Sequence, residues 1–317
     1  MKKLLLLCGL CGIIGCSKVN AQTKLKVLQW NIWQEGTMVP GGYEAIVSEI
    51  ARLEPDFVTF SEVRNYHQTR FCNRIVTSLR EKGKTYYSFY CYDSGLLSKH
   101  PITDSTAVLP EKNDHGSIYR MVASVNGQQI AVYTAHLDYL NDAYYNVRGY
   151  DGSTWKEIPI PETVQEVLAI NDASQRDDAI REFVKAAKKD IAEGRMVILG
   201  GDFNEPSHLD WTRETKDLYD HNGLIVPWTV PLILDNNGFV DAYRTLYPNV
   251  LDYPEFTFPS DNEKVPTQKL AWAPKSDERD RIDYIFYYPH PPTGIKKCSY
   301  LRTPRQYRKK PAEKRNV

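Results

Sequence analysis

The stretch Met196-Val197-Ile198-Leu199-Gly200-Gly201-Asp202-Phe203-Asn204 decides how this chain is read. Four consecutive apolar residues predict a strand buried on both faces. Two glycines follow, then Asp202 and Asn204, so the strand delivers polar groups at its C-terminal end. Alone, these are ordinary turn residues after a glycine pair. Three other apolar segments end in the same way: Gln29-Trp30-Asn31, Phe60-Ser61-Glu62 and Thr134-Ala135-His136-Leu137-Asp138. In Arg281-Ile282-Asp283-Tyr284-Ile285 the acid instead opens a strand. Each has a bland explanation, Glu62 as a first-turn helix acid and His136 as a satisfied strand-end histidine. Together in one chain they point to a scaffold that gathers polar groups at one place.

Outward from that strand, alternation predicts a strand over 24–30, and apolar spacing predicts a helix over 43–53 that stops before Pro55. A strand over 56–60 and a helix over 69–82 follow, the helix closed by Gly83. Five strand candidates come in succession at 86–92, 95–98, 102–109, 118–125 and 129–135, the last two joined by the hairpin signal Asn126-Gly127. Residues 139–160 read as a long loop, 161–192 as helical, 209–220 as helical, 238–247 as a short helix and 282–288 as a strand ended by prolines. Strands and helices intermix throughout, so the class is α/β or α+β, with one domain over about 24–295.

The order Trp-Asn-Ile, Ser-Glu-Val, Ser-Gly-Leu-Leu-Ser, Ala-His-Leu-Asp, Gly-Asp-Phe-Asn and Arg-Ile-Asp-Tyr-Ile-Phe over residues 25–288 resembles the endonuclease/exonuclease/phosphatase superfamily. Gly-Asp-Phe-Asn after Met-Val-Ile-Leu is its most specific piece. The resemblance implies an α+β fold, a four-layer α/β/β/α sandwich of the DNase I-like kind. It also implies hydrolysis of a phosphoester dependent on Mg²⁺, with Mn²⁺ as the alternative.

The residue types suit that chemistry. A phosphoester resists attack because its oxygens are anionic, and a hard divalent cation on those oxygens neutralises charge and polarises phosphorus. Such an ion prefers carboxylate oxygens and water and takes few protein ligands. By the resemblance, Glu62 is a metal ligand, and Asn31 binds metal or phosphate. Asp202 orients or deprotonates the attacking water. Asn204 holds that water or a transition-state oxygen, and His136 donates to a phosphoryl oxygen gaining charge. Asp138 supports these from behind. Asp283 is matched to the aspartate that orients a final histidine. Arg120 and His208 are candidates for substrate binding, Arg120 with a surface ion pair as the competing explanation.

The family closes with Ser-Asp-His on a last strand, and here nothing matches after Arg281-Ile282-Asp283-Tyr284. Three explanations stand open: a chain truncated or out of frame after about Lys296, which is the favoured one; a genuine tail with His290, His208 or His221 taking over; or a non-catalytic descendant. Residues 296–317 carry nine Lys/Arg against Glu313 alone, which leaves the body 16–295 with a formal net charge of −10. Such a body repels a long phosphate backbone. The expected substrate is therefore a small phosphodiester or phosphomonoester, of nucleotide, inositol phosphate or phospholipid type. The alternatives are an exported nuclease and a lipoprotein that binds a phosphorylated ligand without turnover. The aromatics Tyr139, Tyr144, Tyr145, Tyr150, Trp155, Trp211 and Trp228 suit either stacking on substrate or loop packing.

Residues 1–15 read as an export signal, with Lys2-Lys3 ahead of an apolar run too short to span a bilayer. Ile13-Ile14-Gly15-Cys16 resembles the bacterial lipobox, which makes Cys16 the lipidated residue and 16–23 a tether; the alternative is a plain signal peptide cleaved near Asn20-Ala21. The expected location is the cell envelope, held to a bacterial membrane by the lipid, and the expected state is a monomer. Cys72 and Cys91 either pair or are separate buried hydrophobes.

Overall fold

The strand 196–202 is the hinge of the architecture. As β8 (Met196–Asp202) it lies in the middle of a six-stranded mixed sheet in the computed structural model. It runs parallel to β7 (Gln128–Leu137) and antiparallel to β10 (Asp283–Tyr287). The sheet is completed by β5 (Ile102–Leu109), β6 (Gly116–Val125) and β9 (Val240–Asp241) in the order β5-β6-β7-β8-β10-β9. A second sheet has the order β1-β2-β4-β3, from β1 (Val27–Asn31), β2 (Phe57–Val63), β4 (Asp93–Ser98) and β3 (Tyr87–Phe89). Residues 24–64, 68–89, 92–112, 115–259, 262, 264–266, 269–289 and 297 are described. The expected signal peptide, Cys16 and tether, together with Cys91, His290 and the tail beyond Lys297, lie outside the described residues.

Side-chain alternation builds the four layers. On β7, Ile130 and Val132 pack between the sheets, while Ala131, Tyr133, Ala135 and Leu137 face α5 (Arg176–Ala192) and α6 (Thr229–Asn236). On β1, Leu28 and Trp30 turn to α1 (Gly42–Leu53) and α2 (Phe71–Glu81), whereas Val27 faces the other sheet. Helices therefore cover both outer faces, and the fold is the four-layer α/β/β/α sandwich that the resemblance implies. Each fully buried Phe, Leu or Ile in these layers stabilises it by about 1.5–3 kcal/mol. Gly200 is required where the sheets come closest, because a Cβ there would meet Thr59 Oγ1 of β2 at 2.2 Å.

Three local expectations need correction. Residues 209–220 form consecutive turns rather than a helix. Trp211 is fully buried there, Asp210 is bound by Arg244 and Arg281, and Tyr219 and Asp220 take left-handed φ, so tertiary ion pairs override helical composition. The helical 161–192 is two helices, α4 (Val164–Asn171) and α5, parted at 172–175. The loop 139–160 contains a short helix, α3 (Ala143–Asn146). Helix α6 escapes sequence reading because of Pro231, which sits in its first turn, where no N–H is needed. The region 238–247 holds β9 and then α7 (Ala242–Leu246), capped by the Asp241 carboxylate.

Candidate active site

Strand polarity brings the polar residues to one end of the sandwich. Strands β1, β2, β7 and β8 all finish there, and β4 and β10 start there. Asn31 ends β1, and its Nδ2 donates to Glu62 Oε1 at 3.0 Å and to Asp202 Oδ2 at 2.8 Å. One amide group thus spans the two carboxylates, one from each sheet. Its Oδ1 accepts the Trp33 N–H at 2.9 Å. The β2–β4 register shifts between Ser61 and Val63, and Glu62 takes φ 65°, a bulge that re-aims its side chain. The other Glu62 oxygen accepts the Gln34 N–H at 2.9 Å.

Ser61 Oγ bridges the sheets, donating to Ala135 O at 2.9 Å and accepting the Asp202 N–H at 3.0 Å. Asp202 Oδ1 accepts the Asn204 N–H at 2.9 Å, in a turn where Asn204 has φ 48°. Asn204 Nδ2 donates to Leu137 O at 2.9 Å, tying this loop to the end of β7. Register places His136 and Asp283 on either side of Asp202. Asp283 accepts from Gln29 Nε2 at 3.3 Å, and its backbone N–H donates to Thr257 Oγ1 at 3.1 Å.

Electrostatics follow from burial. Burial pushes Asp202 upward, against the pull of His136, the Asn204 N–H and the Asn31 amide. Burial, then the adjacent Asp202, push Asp283 well above the usual carboxylate range. His136 Nδ1 lies 2.7 Å from Asp93 Oδ2. Burial opposes the imidazolium, but Asp93, with Asp202 and Glu62, outweighs it and raises His136 to about 10. The imidazole is therefore held as a charged donor, suited to an oxygen that gains negative charge.

The structure thus brings together Asn31, Glu62, His136, Asp202, Asn204 and Asp283. It does not bring Arg120 or His208 to them. Arg120 lies on the helix-facing side of β6, opposite in pleat to His136, and pairs with Asp190 of α5 at 2.6 Å and with Asp104. His208 lies 3.7 Å from Asp235 of α6. Of the two readings open for the loop aromatics, packing holds for Tyr144, Tyr145, Tyr150, Trp211 and Trp228, which form a buried cluster with Trp155 packed on it. Asp138 supports loops rather than ligand, accepting the Leu140 and Gln175 N–H groups. Cys72 is buried in the core beneath α2, and its expected partner Cys91 lies outside the described residues. Sequence reasoning missed Asp93. The signal was its place just before Ser94-Gly95-Leu96-Leu97-Ser98, which sets it across from the Glu62 bulge. No group of three or more His, Cys, Asp or Glu fit to hold a metal ion occurs among the described residues. Glu62 offers a hard ion a carboxylate and leaves most of its shell to water, while Asn31 turns its amide NH2 to both carboxylates and its carbonyl oxygen to the Trp33 N–H.

Residues 28–297 match the Endonuclease/Exonuclease/phosphatase family, and the chain belongs to it. Members are hydrolytic phosphoesterases that generally use divalent metals. The chain is 26% identical over 282 residues to the Caenorhabditis elegans protein "Uncharacterized protein F14F9.5", covering 86% of this chain and 82% of that one. Among solved structures it is similar to D. rerio TDP2 complexed with a single-strand DNA product (TM-score 0.48, 16% identity, 86% and 87% of the two chains). It is also similar to the human Nocturnin catalytic domain with bound sulfate (0.46, 15%, 84% and 83%) and to an AP endonuclease from Archaeoglobus fulgidus (0.47, 14%, 84% and 87%).

Proposed function

We propose that this chain hydrolyses a small phosphoester by attack of water, with Mg²⁺ as its metal. The observation that carries the reading is the Asn31 amide held between Glu62 and Asp202, with His136 and Asp283 flanking Asp202 in register. Glu62, with Asn31 beside it, would hold the ion, which when bound neutralises phosphoryl charge and polarises phosphorus. Asp202 receives a proton from the attacking water, its orientation kept by the Asn204 N–H and the Asn31 amide. His136, kept protonated by Asp93, donates to a phosphoryl oxygen as charge grows on it. Asn204, anchored on Leu137 O, borders the same space. Burial and the adjacent Asp202 push the Asp283 carboxyl upward, which favours its neutral form beside Asp202.

Purified protein with Mg²⁺ is to be assayed against bis-p-nitrophenyl phosphate, plasmid DNA and sphingomyelin. Turnover lost on adding EDTA and in Asp202→Ala supports the proposal; tight retention of a phosphorylated ligand with no turnover overturns it. The acidic body favours small substrates over long nucleic acid, so DNA cleavage that falls steeply with salt would redirect the substrate class. We propose export and lipidation at Cys16 on the Lys2-Lys3, apolar run and Ile13-Ile14-Gly15-Cys16 pattern. Metabolic labelling with palmitate, lost in Cys16→Ala, tests it.

A further inference from the structure

The segment that follows Asn31 does something the catalytic arrangement does not require. Trp33, Gln34, Glu35 and Gly36 take φ of 40°, 53°, 60° and 76°, a complete left-handed turn of which only the last residue is glycine. L-residues avoid this conformation because Cβ crowds the following carbonyl, and such strain persists only where its surroundings over-determine it. Here they do. The Trp33 N–H is held by Asn31 Oδ1 at 2.9 Å and the Gln34 N–H by Glu62 Oε2 at 2.9 Å. The Glu35 N–H donates to Glu62 O at 3.1 Å, and the Glu35 carboxylate accepts from Thr69 Oγ1 at 2.8 Å. The turn is thus bolted to the two residues, Asn31 and Glu62, at the centre of the candidate site.

What the turn presents is an indole. Trp33 is half-buried, yet it belongs to none of the four apolar clusters. It contrasts with Trp30, three residues earlier, which packs on the core beneath α1 and α2, and with Trp211 and Trp228, which are fully buried. Trp33 makes no ring contact, and its indole N–H no hydrogen bond, among the described residues. Trp155 and Trp272 lie tilted against each other at 5.1 Å, so each already has an aromatic neighbour. Trp33 is a large flat side chain on a strained backbone whose N–H is tied to Asn31, outside every apolar cluster of the described residues.

We propose that Trp33 is a specificity-determining residue that stacks on a planar ring of the substrate, and that the preferred substrate is a small ring-bearing phosphoester of the nucleoside-phosphate kind. The inference rests on the phosphoesterase reading and narrows it. The ring requirement comes from an indole that belongs to no apolar cluster and makes no ring contact among the described residues, since base–aromatic stacking is tolerant of the ring's identity. The size limit comes from the acidic body, which disfavours a long polyanion.

The test measures binding, so that it stands apart from turnover. Calorimetric titrations with Mg²⁺ compare non-hydrolysable phosphonate analogues of AMP and of glycerol 3-phosphate, on the wild type and on Trp33→Ala, Trp33→Leu and Trp33→Phe. The wild type is expected to bind the AMP analogue about tenfold tighter than the glycerol analogue. Trp33→Ala and Trp33→Leu abolish that gap by weakening the AMP analogue alone, and Trp33→Phe retains part of it. Trp33→Leu keeps apolar bulk, so a thermal melt like that of the wild type separates lost stacking from lost fold. Equal wild-type affinity for the two analogues, a gap that survives in Trp33→Leu, or equal weakening of both analogues overturns the proposal. A wild type that shows the gap but turns over no phosphoester would defeat the hydrolase reading while leaving the stacking role intact.

Discussion

Replacing Arg176 by Met probes the joint that holds the candidate site's loops. Its buried guanidinium donates to Asp138 O at 2.8 Å, Leu140 O at 2.9 Å, Asn141 O at 2.9 Å and Asn171 Oδ1 at 2.9 Å. It also pairs with Asp142 at 3.0 Å and Glu205 at 3.3 Å, whose side chains are 5% and 0% exposed. One side chain therefore locks the loop after His136 to the residue after Asn204. Removing one partner of a buried ion pair costs about 3–5 kcal/mol, because the other charge is left uncompensated. The freed carbonyls add to this, so about 4 kcal/mol is a lower expectation, against a total stability of about 5–15 kcal/mol. Burial already pushes Asp142 and Glu205 upward against the pull of Arg176, so both rise further in the variant. A carboxyl whose folded pKa lies above its unfolded value contributes stability at low pH that is lost as pH rises through the folded pKa. The variant's deficit must therefore be larger at pH 8 than at pH 5, by about 1.4 kcal/mol for each unit of further rise. Urea unfolding at both pH values measures it. A deficit under about 1 kcal/mol, or one equal at the two pH values, would refute the assignment of Arg176 as the counter-charge.

Glu62→Gln should weaken Mg²⁺ binding about 10-fold or more while leaving the melting temperature near that of the wild type; an unchanged metal titration removes Glu62 from the ligand set. Arg120→Ala leaves Asp190 to Arg195 and the Tyr133 hydroxyl and should cost about 2 kcal/mol in urea unfolding with unchanged kcat/KM in the folded enzyme, whereas a selective rise in KM would restore Arg120 to substrate binding. His221 stacks on Trp211 at 3.7 Å, and burial, with Arg148 nearby, lowers its imidazole to about 2. Only the unfolded chain takes up that proton below its ordinary pKa near 6.5, so stability falls as pH drops. His221→Phe should therefore gain about 1 kcal/mol on the wild type between pH 6.5 and 5.5, and identical pH profiles for the two proteins would show that His221 is not buried neutral.

Much of the site was readable before folding was considered. Asn31, Glu62, His136 and Asp202 each sit at the end of an apolar run and Asp283 at the start of one, and strand ends are where a layered sheet exposes polar groups. Arg120 and His208 misled because residue type says nothing of which face of a strand, or which side of a loop, a charge will occupy. A one-residue change of pleat carries Arg120 to α5 rather than to the site. Asp93 stands at the start of its strand, as that position signals, but its role on His136 depends on a bulge in β2 and on the facing sheet, which its own stretch does not encode. The loop aromatics left two readings open, because stacking on ligand and packing under a loop demand the same side chains.

The order and spacing of apolar runs determined, without any coordinates, that strands and helices would layer and that acids and amides would collect where strands end. Local periodicity is enough for that, since it dictates which residues must leave water. Only the tertiary structure decided which of those groups meet, that one amide joins Glu62 to Asp202, that Asp93 takes charge of His136, and that Trp33 stays outside every core. These depend on how two sheets face each other across residues far apart in the chain, and that contact is written in no single stretch of it.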